Sequence, residues 1–428
     1  MYRQIEEKLY AWKNRKHKPL ILSGARQTGK TYTVQKFSKC YPHSIYINFE
    51  RDLQLKQDLS STAIPQQIIE ILQLSFPQIN FADNDLLIIF DEVQACPQIL
   101  TSIKFLSQET TYDYILTGSL LGIALTHTNS YPVGYVESMQ MFPMNFKEFL
   151  LAIGIQNNQI QNLKDHFLSG EPLLEAIHQK FLEYFRLYMI IGGMPECIQT
   201  YIRTQNILET RKIQKLILEG YYRDMAKYAI ASDRIKVHDC FSSIPNQLSK
   251  ENKKFQYKLV QSGGNARIFE SSLQWLKDCG IVLPCYRVKS IDYPLNAYKE
   301  ISIFKIYMFD TGLLTSLFDE ATTSKLLMND LGVYKGAIYE NIAAQTLYEN
   351  HHELFYFEPS TRSEIDFLIT ESNNILPIEI KSSSNTQSKS LNAYINKYNP
   401  KKAYRFSTKN IHIENNIYYY PIYMLMFI

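Results

Sequence analysis

The segment PLILSGARQTGKTYTVQKF, near the start of the chain, constrains the fold more than any other segment. An apolar run leads into a glycine-rich loop that matches the pattern G-x-x-x-x-G-K-[ST] from Gly24 to Thr31, and a helical pattern follows directly. A loop of this kind points successive backbone N–H groups at phosphate oxygens, and the positive end of the helix dipole adds to the attraction. The sequence therefore predicts an α/β fold in which a phosphate-binding loop joins a strand to a helix.

Every residue of this loop is a candidate nucleotide contact. Lys30 is long enough to reach the outer phosphates, and the hydroxyl of Thr31 is placed to ligate Mg²⁺. The complete set of loop residues that we predict to bind ATP is Gly24, Ala25, Arg26, Gln27, Thr28, Gly29, Lys30 and Thr31.

Two later apolar runs end in polar residues that suit the same site. The run DLLIIFDEVQACP is typical of a parallel strand buried on both faces, and it ends in Asp91 and Glu92. We predict that Asp91 holds Mg²⁺ together with Thr31, and that Glu92 polarises the attacking water. In the next run, YDYILTGSLLGI, the hydroxyls of Thr117 and Ser119 are predicted to contact the γ-phosphate and that water. The alternative is that they satisfy backbone groups of a local turn.

Composition limits the class of protein. A chain of 428 residues with 45% apolar and 20% charged residues is expected to form two or three globular domains. The net charge of +3 gives no global attraction to nucleic acid or to membranes. The six cysteines show no metal-binding spacing and are predicted to be reduced core thiols. Neither a signal peptide nor a membrane span is predicted, so we expect a cytoplasmic protein without a membrane partner.

Five motifs together resemble one family. GARQTGKT, FDEVQ, ILTGSLL, FPMNFKEFL and IIGGMPE are similar, in this order, to the bacterial and archaeal AAA-type ATPases that carry a C-terminal DUF4143 region. The resemblance implies that Lys30 and Thr31 belong to Walker A, Asp91 and Glu92 to Walker B, and Thr117 to Ser119 to sensor 1.

One position departs from the family pattern. Where relatives often have G-R after sensor 1, this chain has Tyr135 in PVGYVE. If the arginine serves hydrolysis or subunit contact, Arg186 or Arg223 is a candidate replacement. AAA-type proteins often form rings, so the resemblance leaves an oligomer open.

We predict four segments along the chain. They are a P-loop ATPase core (1–143), a helical lid that GGMPE interrupts (144–205), a winged helix-turn-helix-like segment (206–298) and a nuclease-like DUF4143 domain (299–428). In the third segment the long helix is expected to bury Ile268, Leu273, Trp275 and Leu276.

The winged-helix-like segment is rich in basic residues. One hypothesis is a DNA-binding face, since phosphate contacts need positive charge. The other hypothesis is a segment used for packing or oligomer contact, with its basic side chains solvating a loop. The residues concerned are Lys250, Lys253, Lys254, Lys258 and Arg267.

Four charged residues near the C-terminus resemble the core of the PD-(D/E)xK nucleases. Glu340 lies in a helical pattern, Asp366 in the strand SEIDFLI, and Glu379 and Lys381 in the strand ILPIEIK. Strand alternation puts Glu379 and Lys381 on one face, and adjacent strands would bring Asp366 beside them. The resemblance implies that Asp366 and Glu379 bind Mg²⁺ and that all four residues are catalytic. Otherwise Glu379 and Lys381 form a surface ion pair.

These patterns lead to two functional hypotheses. The first is a Mg²⁺-dependent ATPase that couples ATP binding or hydrolysis to a DNA-binding C-terminal module, with DNA cleavage as an open possibility. The second is an ATP-dependent switch that binds a protein partner and whose nuclease-like domain is catalytically silent.

Overall fold

The computed structural model describes residues 1–83, 85–119, 134–318, 325, 334–360, 363–371, 373–382 and 389–428. They form two compact units. The first unit comprises Tyr2–Phe142 and Asp278–Gly280, and the second comprises Met1, Pro143–Lys277 and Ile281–Ile428. All six cysteines are free thiols, and five of them are buried.

A five-stranded parallel sheet forms the centre of the first unit, with the strand order β2-β3-β4-β1-β5. The strands are β1 (Leu20–Ser23), β2 (His43–Asn48), β3 (Leu86–Asp91), β4 (Asp113–Gly118) and β5 (Glu137–Gln140). The helices are α1 (Gln4–Lys13), α2 (Lys30–Ser38), α3 (Leu53–Ser60), α4 (Pro65–Ser75) and α5 (Pro97–Glu109).

Both faces of this sheet are covered. In β3, Leu86, Ile88 and Phe90 pack into one apolar cluster, whereas Leu87 and Ile89 pack into another. Successive strand residues point to opposite faces, so an unbroken apolar run is needed to bury both of them. The parallel α/β sheet predicted from these runs is confirmed. Its carboxyl edge brings together the ends of β1, β3 and β4.

The second unit contains a mixed eight-stranded sheet with the order β12-β13-β11-β10-β9-β8-β6-β7. The strands are β6 (Val282–Val288), β7 (Lys299–Met308), β8 (Phe355–Ser360), β9 (Ser363–Glu371), β10 (Asn374–Ile380), β11 (Ala403–Ser407), β12 (His412–Glu414) and β13 (Ile417–Pro421). The helices that the structure describes here are α6 (Phe146–Ala152), α7 (Asn157–Ser169), α8 (Glu175–Ile191), α9 (Pro195–Thr204), α10 (Ile207–Tyr228), α11 (Arg234–Leu248), α12 (Tyr257–Val260), α13 (Ala266–Asp278), α14 (Thr311–Ser316), α15 (Tyr334–Glu349) and α16 (Lys389–Tyr398).

Three helices, α11 to α13, precede an antiparallel hairpin of β6 and β7. The hairpin is not a separate wing, because β6 also pairs in parallel with β8 and so belongs to the eight-stranded sheet. The prediction that Ile268 belongs to the buried face of α13 is wrong. Ile268 is 36% exposed, and its neighbour Phe269 is buried instead. Leu273 and Leu276 are buried, as the helical period predicts.

The GGMPE motif breaks the helix as predicted, since α8 ends at Ile191 and α9 begins at Pro195. The backbone N–H of Gly193 donates to the buried carboxylate of Asp310 over 2.6 Å. A second oxygen of Asp310 accepts the N–H of Leu313 at the start of α14. The glycine pair therefore lets two distant stretches of backbone meet at one buried carboxylate.

The helices of residues 144–205 lie in the second unit and bond to its C-terminal residues. The hydroxyl of Tyr420 donates to the carbonyl of Phe167 over 2.7 Å, and Nδ1 of His178 lies 3.0 Å from the hydroxyl of Tyr423. In the described part of the chain, no helix is long and apolar enough to cross a membrane.

Candidate functional site

The phosphate-binding loop runs from the end of β1 to the start of α2, and glycines shape both of its ends. Gly24 has φ 145° and Gly29 has φ 95°, both in a region that side chains other than glycine rarely adopt. A Cβ at Gly24 would collide with the carbonyl oxygen of Met141. Gln27 has φ 64°, so the middle of the loop also turns through the left-handed region. The loop pattern therefore reflects backbone requirements at these positions.

Lys30 lies inside the loop and is 6% exposed. Its ammonium group donates to the carbonyl oxygens of Gly24 and Ala25, each over 2.8 Å. Burial lowers the pKa of Lys30 to about 8, against the opposing attraction of Glu92 and Asp91. A positive charge is thus held at the mouth of the loop, where a phosphate would compete with the two carbonyl groups for it.

Asp91, at the end of β3, is the centre of a buried hydrogen-bond cluster. One carboxylate oxygen accepts the hydroxyls of Thr31, over 2.9 Å, and Tyr46, over 2.6 Å. It also accepts the side-chain amide of Asn48 over 3.2 Å. The other oxygen accepts the hydroxyl of Thr117 from β4. The predicted metal ligands Thr31 and Asp91 are therefore in direct contact, and hard oxygen donors of this kind suit Mg²⁺.

Glu92 follows Asp91 in a left-handed conformation, with φ 53°. Such a conformation is costly for a residue with a side chain, and it redirects the chain sharply after the strand. The Glu92 carboxylate accepts the amide of Gln94 and, over 3.4 Å, the hydroxyl of Ser119. Glu92 and Ser119 are therefore brought together next to the Asp91 cluster, as an acid and hydroxyl that could orient a water would need to be.

Several residues of this site escaped sequence reasoning. The guanidinium of Arg3 donates to the carbonyl of Thr28 over 2.7 Å and to that of Phe142 over 2.6 Å, which anchors the loop. Tyr46 and Asn48 complete the Asp91 cluster from β2. Alternate residues of HSIYINFE are polar, which marks a strand with one partly polar face, but nothing in the sequence shows which carboxylate they contact.

Tyr135 stands where relatives often have an arginine, and the candidate replacements Arg186 and Arg223 lie in other parts of the chain. Tyr135 is exposed, and Nζ of Lys104 lies 4.2 Å from its ring centroid. Arg223 is exposed on α10 and pairs with Glu219 over 3.3 Å, and Arg186 lies in α8. A role for either arginine in hydrolysis stays a prediction. Arg26, in the loop, lies 3.6 Å from Glu50.

The four predicted nuclease-like residues meet in the second unit. Antiparallel pairing of β9 with β10 brings Asp366 to the backbone N–H of Ile380, which donates to it over 2.7 Å. Nζ of Lys381 lies 3.0 Å from Oε1 of Glu379. Glu340, from α15, is close enough to Asp366 for their charges to interact. Burial, and next the charge of Glu340, raise the pKa of Asp366.

Internal cations already pair with two of these carboxylates, Glu340 and Glu379. Glu340 receives a charged hydrogen bond from Lys253, and Nζ of the fully buried Lys305 lies 3.7 Å from its other oxygen. Burial by itself raises the pKa of Glu340, but Lys253 and Lys305 outweigh burial and lower it. On the far side, Nε of Arg405 lies 3.5 Å from Oε2 of Glu379, an oxygen without a hydrogen-bond donor.

The acids do not form a ready-made metal site. Among the residues that the structure describes, no three His, Cys, Asp or Glu side chains lie close enough together to hold an ion. Two-metal and one-metal phosphodiesterases rely on carboxylates that are available to the metal. Here Glu340 and Glu379 are ion-paired within the protein, whereas Asp366 accepts the backbone N–H of Ile380, and the Mg²⁺ site at Asp366 and Glu379 stays a prediction.

The basic residues of the winged-helix-like segment divide into two groups. Lys253 and Lys254 are ion-paired with Glu340 and Glu358. Lys250, Lys258 and Arg267 are exposed. The five residues therefore do not present one continuous exposed basic face.

Comparisons with known families match three consecutive parts of the chain. An AAA domain (AAA_14) matches residues 16–150, a domain of unknown function (DUF8612) matches 182–324, and a second one (DUF4143) matches 335–425. No curated protein matches the chain.

Three solved structures are similar at low identity. The Walker-type ATPase PABY2304 of Pyrococcus abyssi is 15% identical over 74% of this chain and 95% of its own, with a TM-score of 0.45. Cdc6p from Pyrobaculum aerophilum is 15% identical over 77% and 93%, with a TM-score of 0.25. AMPPCP-bound DnaA from Aquifex aeolicus is 14% identical over 64% and 86%, with a TM-score of 0.24. These scores are too low to support a conclusion about this chain.

The family models agree with the described geometry. The AAA model covers β1, the phosphate-binding loop and the Asp91 cluster, and the DUF4143 model covers the strands that carry Asp366 and Glu379. The chain therefore combines an AAA-type ATPase domain with a C-terminal DUF4143 region, as the resemblance of its motifs predicts.

Proposed function

We propose that this protein binds ATP with Mg²⁺ at the loop of residues 24–31 and hydrolyses it. The observation that carries this proposal is the contact of the Thr31 and Thr117 hydroxyls with the two oxygens of Asp91. A hydroxyl at the start of the loop helix and an acid at the end of a neighbouring strand are the protein ligands that P-loop enzymes use for Mg²⁺. Bound there, Mg²⁺ would neutralise charge on the β- and γ-phosphates.

The remaining residues have separate tasks in this proposal. Lys30 exchanges its two carbonyl partners for phosphate oxygens. Glu92 orients the attacking water and accepts its proton, and the hydroxyl of Ser119, 3.4 Å from the Glu92 carboxylate, holds that carboxylate in place. Thr117, in β4, donates its hydroxyl to Asp91 at the end of β3. A change at the γ-phosphate is therefore transmitted to both strands.

Two substitutions test this proposal. Lys30→Ala removes the buried ammonium group of the loop and should abolish binding of a fluorescent ATP analogue. Glu92→Gln should leave binding intact and lower phosphate release on the order of a hundredfold or more. Lys39→Ala, exposed just after α2, is the matched control and should behave as the wild type. Wild-type turnover by Lys30→Ala would overturn the assignment.

For the second unit, the ion pairs favour the hypothesis of a nuclease-like core that does not cleave DNA. Four cations, Lys253, Lys305, Lys381 and Arg405, are paired with its carboxylates. A divalent ion bound to Glu340 or Glu379 would have to displace at least one of them, at the cost of leaving that cation unpaired. We infer that ATP occupancy changes how this unit engages a partner.

A plasmid-nicking assay with Mg²⁺ or Mn²⁺ distinguishes the two hypotheses. A silent core predicts no nicking by wild type, and none by Asp366→Ala or Lys381→Ala. Nicking by the wild type that both substitutions abolish would establish the DNA-cleaving hypothesis instead. Nicking that survives both substitutions would come from a contaminant.

A further inference from the structure

A cavity of about 570 Å³ lies in the second unit between α13 and the hairpin of β6 and β7. Its volume is within the range of small-ligand pockets. Three aromatic side chains contribute to its wall, Tyr257, Tyr286 and Phe304, and the ring centroids of Tyr286 and Phe304 are 5.9 Å apart. The concave wall of the cavity therefore includes aromatic rings that are partly exposed.

Lysines converge on the same cavity. Nζ of Lys299 lies 4.1 Å from the ring centroid of Tyr286, and Nζ of Lys277 lies 5.9 Å from it. Lys289 also lines the cavity. Both ammonium groups approach the same ring, and their like charges favour an anion beside them.

None of these three lysines forms an ion pair with a carboxylate in the described ranges of the chain. Of the two acids in the wall, Glu300 is held by the guanidinium of Arg287 over 2.5 Å and also interacts electrostatically with Lys289, and Glu270 is the second negative charge. In the same unit, Lys253 and Lys305 each contact a carboxylate. Within the described part of the chain, the cavity thus brings three lysines together with two acids, one of which is held by Arg287.

We propose that this cavity binds single-stranded nucleic acid, with a base against the aromatic wall and the flanking phosphates on Lys277, Lys289 and Lys299. Proteins that bind single strands combine a basic groove with aromatic rings on which bases stack. A duplex keeps its bases stacked inside the helix, so it cannot present them to a concave wall. An acidic peptide would satisfy the lysines but would leave the ring surface unused.

This inference goes beyond the proposed ATP turnover. It rests on the proposed function only in taking the second unit as the part that engages a partner, and oligonucleotide binding can be measured without ATP. A failure of one is therefore distinguishable from a failure of the other. Lys30→Ala should lose ATP binding while it still binds the oligonucleotide.

The test is fluorescence anisotropy with labelled oligo-dT of about 20 nucleotides, longer than one binding site, and the full chain at several salt concentrations. Each phosphate contact on a single strand contributes about 0.7 to the slope of log affinity against log salt. The triple variant Lys277→Ala, Lys289→Ala, Lys299→Ala should therefore lower the steepness of that slope by about 2. Tyr286→Leu should weaken binding on the order of tenfold with the slope unchanged.

The matched control removes three exposed lysines of the first unit, Lys8, Lys16 and Lys39, by substitution with alanine. It has the same net charge as the triple variant and should keep the wild-type slope. If the triple variant is unstable, Lys289→Ala alone, at the exposed rim, should lower the slope by about 0.7.

Three results would overturn the proposal. They are no binding of oligo-dT by the wild type at low salt, equal losses in the triple variant and its control, and displacement of oligo-dT by poly-glutamate as readily as by unlabelled oligo-dT. Binding of duplex DNA with the same affinity and the same dependence on Tyr286 would overturn the single-strand assignment.

Discussion

Lys253 donates a charged hydrogen bond to the buried carboxylate of Glu340, a residue 87 positions later in the chain. Glu340 also accepts the hydroxyl of Tyr307 over 3.2 Å. Next along the loop, Phe255 stacks on Phe304, with ring centroids 5.6 Å apart, and its N–H donates to the Phe304 carbonyl over 2.8 Å. The loop between α11 and α12 is therefore fixed by one internal charge and one aromatic contact.

Lys253→Ala should lower the free energy of unfolding by about 3 kcal/mol, because it leaves a buried carboxylate with fewer partners. Lys305 and Tyr307 remain, which places the expected effect at the lower end of the range for broken buried pairs. Chemical denaturation measures it. Lys250→Ala removes an exposed lysine of the same loop and should change stability by less than about 0.5 kcal/mol.

Equal effects of the two substitutions would mean that the pair of Lys253 and Glu340 contributes nothing to the free energy of unfolding.

The Lys253→Ala variant also tests whether Lys253 competes with a metal ion for Glu340. Lys253→Ala frees one oxygen of Glu340, so Mn²⁺ should bind more tightly to it than to the wild type when Asp91→Asn is present in both to remove the metal ligand at the loop. Unchanged Mn²⁺ binding would show that Lys253 does not compete with a metal.

ATP affinity should fall as the pH rises above about 8, the pKa to which burial lowers Lys30. The neutral amine formed there cannot attract a phosphate, so the dissociation constant should rise by up to about tenfold per pH unit. Equilibrium binding between pH 7 and 9.5 measures it. Lys30→Met should bind weakly at every pH. A wild-type constant that stays flat to pH 9.5 would contradict the prediction.

The ionisation of Lys30 changes the free energy of unfolding with pH in the direction opposite to its effect on ATP affinity. Its pKa is lower in the folded than in the unfolded chain, so the unfolded chain binds more protons between about pH 8 and 10.5. Folding is therefore favoured by rising pH in this window, while ATP affinity falls.

Gly193→Ala should be destabilising by about 2 kcal/mol, because its Cβ would collide with the Met144 carbonyl oxygen and lie 2.8 Å from the Pro143 Cβ. The neighbouring backbone cannot move without disturbing the bond from Gly193 to Asp310. Gly336→Ala, early in α15, is the control. Among the residues that the structure describes, its Cβ would meet only the Ser382 hydroxyl at 3.9 Å, so helix propensity should make it stabilising by up to about 1 kcal/mol. Thermal unfolding compares the two.

Asp310 should make stability fall between about pH 4 and 6. Burial raises its pKa to about 6, against the hydrogen bonds from Gly193 and Leu313, whereas the unfolded carboxyl titrates near its ordinary pKa of 3.8. In this window the folded chain holds a proton that the unfolded chain has lost, so the contribution is complete below pH 4 and lost by pH 6 to 7. The total is roughly 3 kcal/mol.

Asp310→Asn cannot titrate and should lack that fall. It loses one acceptor for a backbone N–H, so it should be less stable than the wild type at pH 4, and the difference should shrink as the pH rises. Denaturation at pH 4, 5, 6 and 7 measures this. Asp239→Asn, an exposed residue of α11, should run parallel to the wild type. Parallel curves for Asp310→Asn as well would contradict the assignment.

Sequence reasoning located the strands, the helix break and the acidic residues that local sequence patterns determine. Apolar runs of strand length predicted β1, β3 and β4, and the order of strands then brings Asp91 to Thr31. The break at GGMPE followed from its glycines and proline. Alternation in β9 and β10 predicted Asp366 near Glu379, and their pairing agrees with it.

The features that sequence reasoning missed depend on contacts between segments that are distant in the sequence. No periodicity shows that Arg3 holds the loop, or that Lys253 faces Glu340 rather than solvent. The inner face of α13 was misplaced at Ile268 because one apolar residue beside another fits the helical period almost equally well, and packing chooses between them. The role of the glycine pair was hidden because Asp310 lies more than a hundred residues away.

The continuity of the eight-stranded sheet has a mechanical consequence. Backbone hydrogen bonds connect β7 to β6, β6 to β8, β8 to β9 and β9 to β10 without a gap. The hairpin and the strands that carry Asp366 and Glu379 are therefore parts of one hydrogen-bonded ladder. We expect a displacement of β7 to be transmitted to these acids through that ladder.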